Sequence, residues 1–175
     1  SEIDIIHAYW ETGDPPSSTG QAGGQTDDGR NELDVLNYWR HKGVGGDKIV
    51  GFVSVNPQNI AHVRAALYLF GGVYVGVALP ITAQRQHKWD VVHNVGSDAD
   101  PGSWGGHAIP YEAFNGSIFT CITWAHPLDL TARFHLKYTE EVYAVISKDF
   151  LDNTGKTPAG IDLKTLKADI KALAG

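Results

Sequence analysis

The sequence predicts an α+β domain with a mostly antiparallel sheet, and three observations carry that expectation. Segments with helical spacing come first, β-rich runs with interruptions follow, and one more helical segment closes the chain. Asn115-Gly116 joins two β-rich runs, the strongest short hairpin signal, and a hairpin makes its strands antiparallel. The 175 residues, 42% hydrophobic, suffice for one core, and no repeat or linker divides them. Residues 1–175 are therefore read as one domain.

Each element has a local reason. From Glu2 to Trp10, Ile3, Ile6 and Trp10 fall at helical spacing, with Ile5 and Tyr9 as a second pair, until Gly13 stops the run. Asp14 to Gly29 reads as a long polar loop with Ala22 as its only apolar residue, and the weakest order is expected there. Asn31 to Lys42 is a second helix, with Leu33, Val35, Leu36, Tyr38 and Trp39 on a broad apolar face and Gly43 as its C-terminal cap.

Lys48 to Val55 is rich in β-branched residues and reads as a mostly buried strand. Asn56-Pro57 opens a helix that places Ile60, Val63, Leu67 and Phe70 on one face and ends at Gly71-Gly72. Val73 to Leu79 is a strand closed by Pro80, and Thr82 to Ser103 reads as polar and irregular apart from Trp89, Val91 and Val92. His107 to Phe114 and Ser117 to Trp124 form the hairpin, Thr131 to Tyr138 a short helix, and Glu141 to Ser147 another strand. Asp162 caps a final amphipathic helix to Leu173, with Leu163, Leu166, Ile170 and Leu173 on one face.

Composition excludes several classes of function. The net charge of −6 argues against a nucleic-acid scaffold or a basic membrane-surface protein. No apolar run approaches the ~20 residues that cross a bilayer, so a soluble protein without a membrane partner is expected. Only 19% of residues are charged and 20 are glycine, which implies tight turns and much buried chain. The single cysteine, Cys121, excludes an internal disulfide framework and a multi-cysteine metal site. The chain has no methionine and starts at Ser1 inside a helical pattern, so a processed N-terminus or a fragment is expected.

Several motifs fail on inspection. Gly155-Lys156-Thr157 ends like a phosphate-binding loop, but the position five residues before Gly155 holds Phe150 instead of glycine. Asn115-Gly116-Ser117 matches a glycosylation sequon, which the hairpin turn explains more economically. Asp98 and Asp100 lack the further ligand spacing that a cation site needs. The eight histidines contain no His-x-x-x-His pair, so neither a metal nor a cofactor is expected.

One constellation survives. Gly105-Gly106-His107-Ala108 opens one hairpin strand, and its partner ends at Thr123-Trp124. Upstream, Val35-Leu36-Asn37-Tyr38-Trp39-Arg40 lies on a helix, and Asn59 to Pro80 supplies a helix, glycines and a strand before the histidine loop. From about Leu33 to Leu151 this resembles the C-terminal half of papain-like cysteine peptidases, and it is most similar to bacterial and bacteriophage-encoded members of that fold. The resemblance implies a helical part packed on a twisted antiparallel sheet, a half-barrel that Glu141 to Ser147 closes. It implies that His107 is the catalytic imidazole, that Thr123 stands where the family's ring-orienting Asn does, and that Trp124 shields the pair. Gly105 and Gly106 would let the backbone pass close to a bound substrate.

The chemistry of such a site needs a thiol. A free thiol has a pKa near ~8.5, so an imidazole must take its proton, and a third group must hold the ring in one tautomer and plane. The family's nucleophile heads a long helix N-terminal to everything matched here, and no cysteine precedes Cys121. Cys121 lies in an apolar strand and reads as a buried structural thiol. The expected function is a non-catalytic papain-like module, used for binding or as a structural part of an assembly such as a virus particle. The alternative is a thiol peptidase or amidase whose cysteine lies upstream of Ser1 or on another chain. Either way the expected partner is another protein chain or an N-terminal segment of its own precursor, covering an apolar groove beside His107 unless the Glu2–Trp10 helix fills it.

Overall fold

The computed structural model of this chain describes residues 1–13, 29–93, 96–157, 159–162, 164, 165 and 168. The expected loop therefore falls, but for Gly29, outside the described residues, as does most of the expected Asp162–Leu173 helix. At the start of that helix, the Thr165 amide donates to Asp162 Oδ1 at 3.0 Å, the contact an N-cap makes.

The helices are α1 (Glu2–Glu11), α2 (Glu32–His41), α3 (Ile60–Phe70) and α4 (Ala132–Tyr138). The strands are β1 (Ile49–Ser54), β2 (Val73–Leu79), β3 (Lys88–Trp89), β4 (Gly105–Asn115), β5 (Ile118–Thr123), β6 (His126–Thr131) and β7 (Thr139–Ser147). They form one open seven-stranded sheet in the order β1-β7-β2-β4-β5-β6-β3. Every pair is antiparallel except β3 with β6, so the sheet is mixed. The α+β class expected from sequence is what the chain adopts. No helix among the described residues is long and apolar enough to cross a membrane.

Strand alternation sorts side chains onto two faces. On one face Val73, Val75 and Val77 of β2, Ile109 and Tyr111 of β4, Phe119 and Cys121 of β5, and Val142 and Ala144 of β7 meet α3 and α4. Val63, Ala66 and Leu67 of α3 and Phe134 and Tyr138 of α4 complete that core. The other face carries a smaller core, in which Leu36 and Trp39 of α2 pack on Ile49, Phe52, Tyr74, Tyr143 and Val145. With helices on both sides, β2 is buried along almost its whole length. Burying Val63 and Leu67 contributes roughly 1.5–3 kcal/mol each.

Most helix ends follow their sequence signals, but α3 starts later than expected: Asn56 accepts from the Gln58 amide in a turn before the helix, and Asn59 is the N-cap. The side chain of Asn31 accepts from the Leu33 and Asp34 amides, Asn59 caps the His62 amide, and Thr131 caps the Phe134 amide. Gly71 ends α3 in the left-handed conformation at φ 77°. The turn Gly116-Ser117 closes the β4–β5 hairpin, pairing Asn115 with Ile118.

Four other expectations need correction. The first strand lies at the sheet edge and is half-exposed, because only one neighbour, β7, flanks it. The last strand, expected to close a half-barrel, instead runs inside an open sheet, between β1 and β2. The stretch from Thr82 to Ser103 holds β3 and two 3-10 turns, Ile81–Arg85 and Gly96–Ala99. Finally, α1 packs on the α2 layer through Ala8, while Ile3, Ile5, Ile6 and Trp10 face solvent, Ile3 at 77% exposure. The Arg30 guanidinium lies 3.9 Å from the Tyr9 ring centroid and donates to Tyr9 O at 2.6 Å, which ties α1 to the entry of α2.

Candidate functional site

His107 sits where a core-facing row of side chains runs out. Its strand starts at Gly105, whose φ of 142° is open to glycine and strained for other residues. The loop before it is pinned to β2: the Gly102 amide donates to Ala78 O at 3.1 Å and the Trp104 amide to Leu79 O at 2.9 Å. His107 then pairs with Val77 across the β2–β4 ladder. Along β4, Ile109 and Tyr111 enter the core and His107, two residues earlier, is half-buried at its rim. Along β5, Phe119 and Cys121 enter the same core and Thr123 ends that row. The two row ends meet, with His107 Nε2 2.8 Å from Thr123 Oγ1.

Trp124 covers the pair through an unusual turn. Thr123 pairs with His126, so Trp124 and Ala125 alone connect β5 to β6. Both have positive φ, 44° and 64°, the backbone of a two-residue hairpin normally built from Asn and Gly. For L-residues that conformation costs roughly 1–2 kcal/mol each. The turn projects the Trp124 indole, 52% exposed, over the imidazole. The two rings stack at 4.8 Å between centroids and 12° between planes. Trp124 also stacks on Trp104 at 5.3 Å and meets Trp89 edge-on at 6.1 Å. Trp89 is fully buried, donates its indole N–H to Ala83 O at 3.2 Å and stacks on Phe134. A continuous series of rings thus links the α4 core to the surface beside His107.

The electrostatics suit a neutral base. Burial lowers the His107 pKa from its usual value, so the ring is uncharged at neutral pH. Among the described residues, Nε2 is the ring nitrogen of His107 with a protein partner. The only thiol is unsuited to the role of nucleophile. Cys121 is fully buried, donates from Sγ to Leu128 O at 3.3 Å, and has its pKa pushed up to about 12 by burial. The nearby Ser103 hydroxyl is committed to Asp98 O and the Ile81 amide. No cluster of three or more His, Cys, Asp or Glu among the described residues is arranged to hold a metal ion.

The structure therefore brings together His107, Thr123 and Trp124 and sets Gly105 and Gly106 at the head of the same strand. Sequence reasoning did not find Trp104, which follows Gly102-Ser103 in a segment without periodicity. Trp89 stood out in the sequence, with Val91 and Val92, as apolar in a polar stretch, but nothing there showed that it supports Trp124. No protein-family model and no curated protein matches this chain.

Proposed function

We propose that this chain is a papain-like module that keeps the acid–base half of a thiol-hydrolase site and, on its own, binds without catalysing. The observation that supports this reading is the imidazole of His107 held by Thr123 and stacked under Trp124, with no accessible thiol beside it. With Nε2–H donating to Thr123 Oγ1, Nδ1 keeps its lone pair and can accept a proton. The exposed indoles of Trp104 and Trp124 and the bare backbone of Gly106 offer an apolar, sterically open face next to it. The occupant we favour is a protein segment, from another chain or the same precursor. A structural role in an assembly such as a virus particle fits this reading.

The unpartnered Nδ1 favours a second reading, in which that segment supplies a cysteine. Its thiol proton would pass to Nδ1, giving a thiolate–imidazolium pair. The sulfur would attack an amide carbonyl, the imidazolium would return its proton to the departing amine, and water would cleave the thioester. Thr123 would hold the ring in plane throughout, acting as a positioning residue.

Intact-mass and N-terminal analysis of native material, with light scattering, separates the outcomes. A bound segment without cysteine supports the binding module. A cysteine-bearing segment whose presence yields turnover, lost in His107→Ala, supports the hydrolase. A monomer that binds neither a partner nor a hydrophobic dye overturns both.

A further inference from the structure

The first turn of α2 hides a carboxyl group where composition alone predicts a solvated one. Glu32 is 5% exposed, and its Oε2 is shielded from solvent with no hydrogen-bond partner. It lies over Gly76 on the α2 face of the sheet. A Cβ on residue 76 would stand 2.7 Å from Glu32 Oε1 and 2.8 Å from Glu141 Cγ, so only glycine leaves room for both side chains. Glu141 pairs with Gly76 across the β2–β7 ladder, and its Oε2 accepts from the Tyr143 hydroxyl at 2.7 Å. Two carboxyl side chains therefore converge above the one position of β2 that has no side chain of its own.

Among the described residues, the surrounding groups offer no cation. From β7 the site faces Glu140, Glu141 and Tyr143, and from β2 it faces Tyr74. The Asn31 side chain on the α2 side is spent on capping the Leu33 and Asp34 amides. The ion pairs among the described residues, Ser1 with Asp4 and Arg133 with Asp90, lie elsewhere.

We propose that Glu32, buried beside Glu141 over Gly76, holds a proton that latches α2 to the sheet, and that loss of the proton undocks α2. A buried carboxylate without donors, set beside a second carboxylate, is disfavoured by desolvation and by like charge. The N-terminus of α2 pulls the other way, since its partial positive charge favours an ionised Glu32, but that field is the weaker influence. Desolvation by burial, reinforced by the charges of Glu141 and Glu140, raises the Glu32 pKa to about 8 from 4.5. Because α1 is tied to α2 through Arg30 and Tyr9, the two helices leave or stay together.

The direction with pH follows from linkage. A pKa raised on docking means that the docked state holds a proton the open state has lost, so the latch is complete below 4.5 and fails as pH rises through about 8. One proton of difference changes the opening equilibrium about tenfold per pH unit. His107 and His135, both lowered, act on the acid side of 6.5. Cys121, Tyr74 and Tyr143, all raised, act above 9. The interval from about pH 7 to 8 thus isolates Glu32.

Amide exchange of α2, corrected for intrinsic rates, tests the latch in the full chain. Wild-type protection is expected to fall about fivefold between pH 7 and 8, because the docked carboxyl is itself half-ionised at about 8, and in Glu32→Gln, which keeps the shape without the charge, to stay flat. A flat wild type, or a variant with the wild-type slope, overturns the proposal. Carbon-13 titration of the Glu32 carboxyl in the wild type gives a second reading that does not depend on the variant folding: a midpoint near 8 supports the latch, and one near 4.5 overturns it.

Discussion

His107 and Thr123, sixteen residues apart in sequence, close to 2.8 Å between Nε2 and Oγ1 because each ends a core-facing row on its strand. The contact is made by a hydroxyl, which both donates and accepts, so the ring's tautomer is the quantity that decides what His107 can do.

Nε2 of His107 is expected to carry the proton and donate to Thr123, leaving Nδ1 basic. Nitrogen-15 NMR of the His107 ring is then dominated by the Nε2–H tautomer in the wild type. Thr123→Val removes the acceptor at nearly constant shape, so the tautomers mix and stability falls by about 1 kcal/mol. A dominant Nδ1–H form in the wild type would reject the assignment.

Cys121 should behave as an inert side chain. Its sulfur is fully buried and its pKa is pushed up to about 12, so almost no thiolate exists at neutral pH. Labelling by a thiol reagent is expected only through unfolding, at least about a thousandfold slower than for a free thiol at ordinary domain stability. Labelling at the free-thiol rate would place Cys121 at the surface.

Acid should weaken the fold through His135. This ring is fully buried, donates from Nε2 to Pro57 O at 2.8 Å, and accepts at Nδ1 from the hydroxyls of Tyr111 or Thr139, each 3.1 Å away. Burial lowers its pKa, partly offset by the bond to Pro57. The folded state resists a proton that the unfolded state takes up, so the stability is complete above about 6.5 and declines as pH falls below it. Between pH 7 and 5 this loss is set against the gain from Glu32, whose raised pKa acts in the opposite direction, so the His135 contribution is read by thermal unfolding as the difference between wild type and variant. His135→Gln should be about 1–3 kcal/mol less stable at pH 7, and that deficit should shrink as pH falls to 5. An unchanged slope in the variant would contradict this role.

The parts of the fold that were legible are those whose signals are local. Gly71 ends α3 and Asn115-Gly116 marks the β4–β5 hairpin, because capping and turn chemistry act within a few residues; Asn56-Pro57, which imitates a helix start, instead forms a turn three residues before the cap Asn59. The β5–β6 hairpin escaped notice because Trp124 and Ala125 occupy positive-φ positions without the usual Gly or Asn, and Pro127 disguises β6. Strand β3 is two residues long and owes its existence to β6. Glu32 reads as solvated from its charge, and only the absence of a side chain at Gly76, forty-four positions on, makes room for it. In the site, His107, Thr123 and Trp124 could be found from their spacing about a recognisable hairpin. Trp104 could not, since ring stacking between distant segments leaves no period in the sequence, and Trp89 showed only as an apolar position in a polar stretch.

In the proposed module the histidine arrangement stands ready while the chain by itself lacks an accessible thiol. Turnover of peptide and amide substrates by the purified 175-residue chain is to be measured beside His107→Ala. The same background rate is expected for both proteins, because an imidazole and a hydroxyl do not replace the missing thiol. Wild-type turnover that disappears in His107→Ala would contradict it.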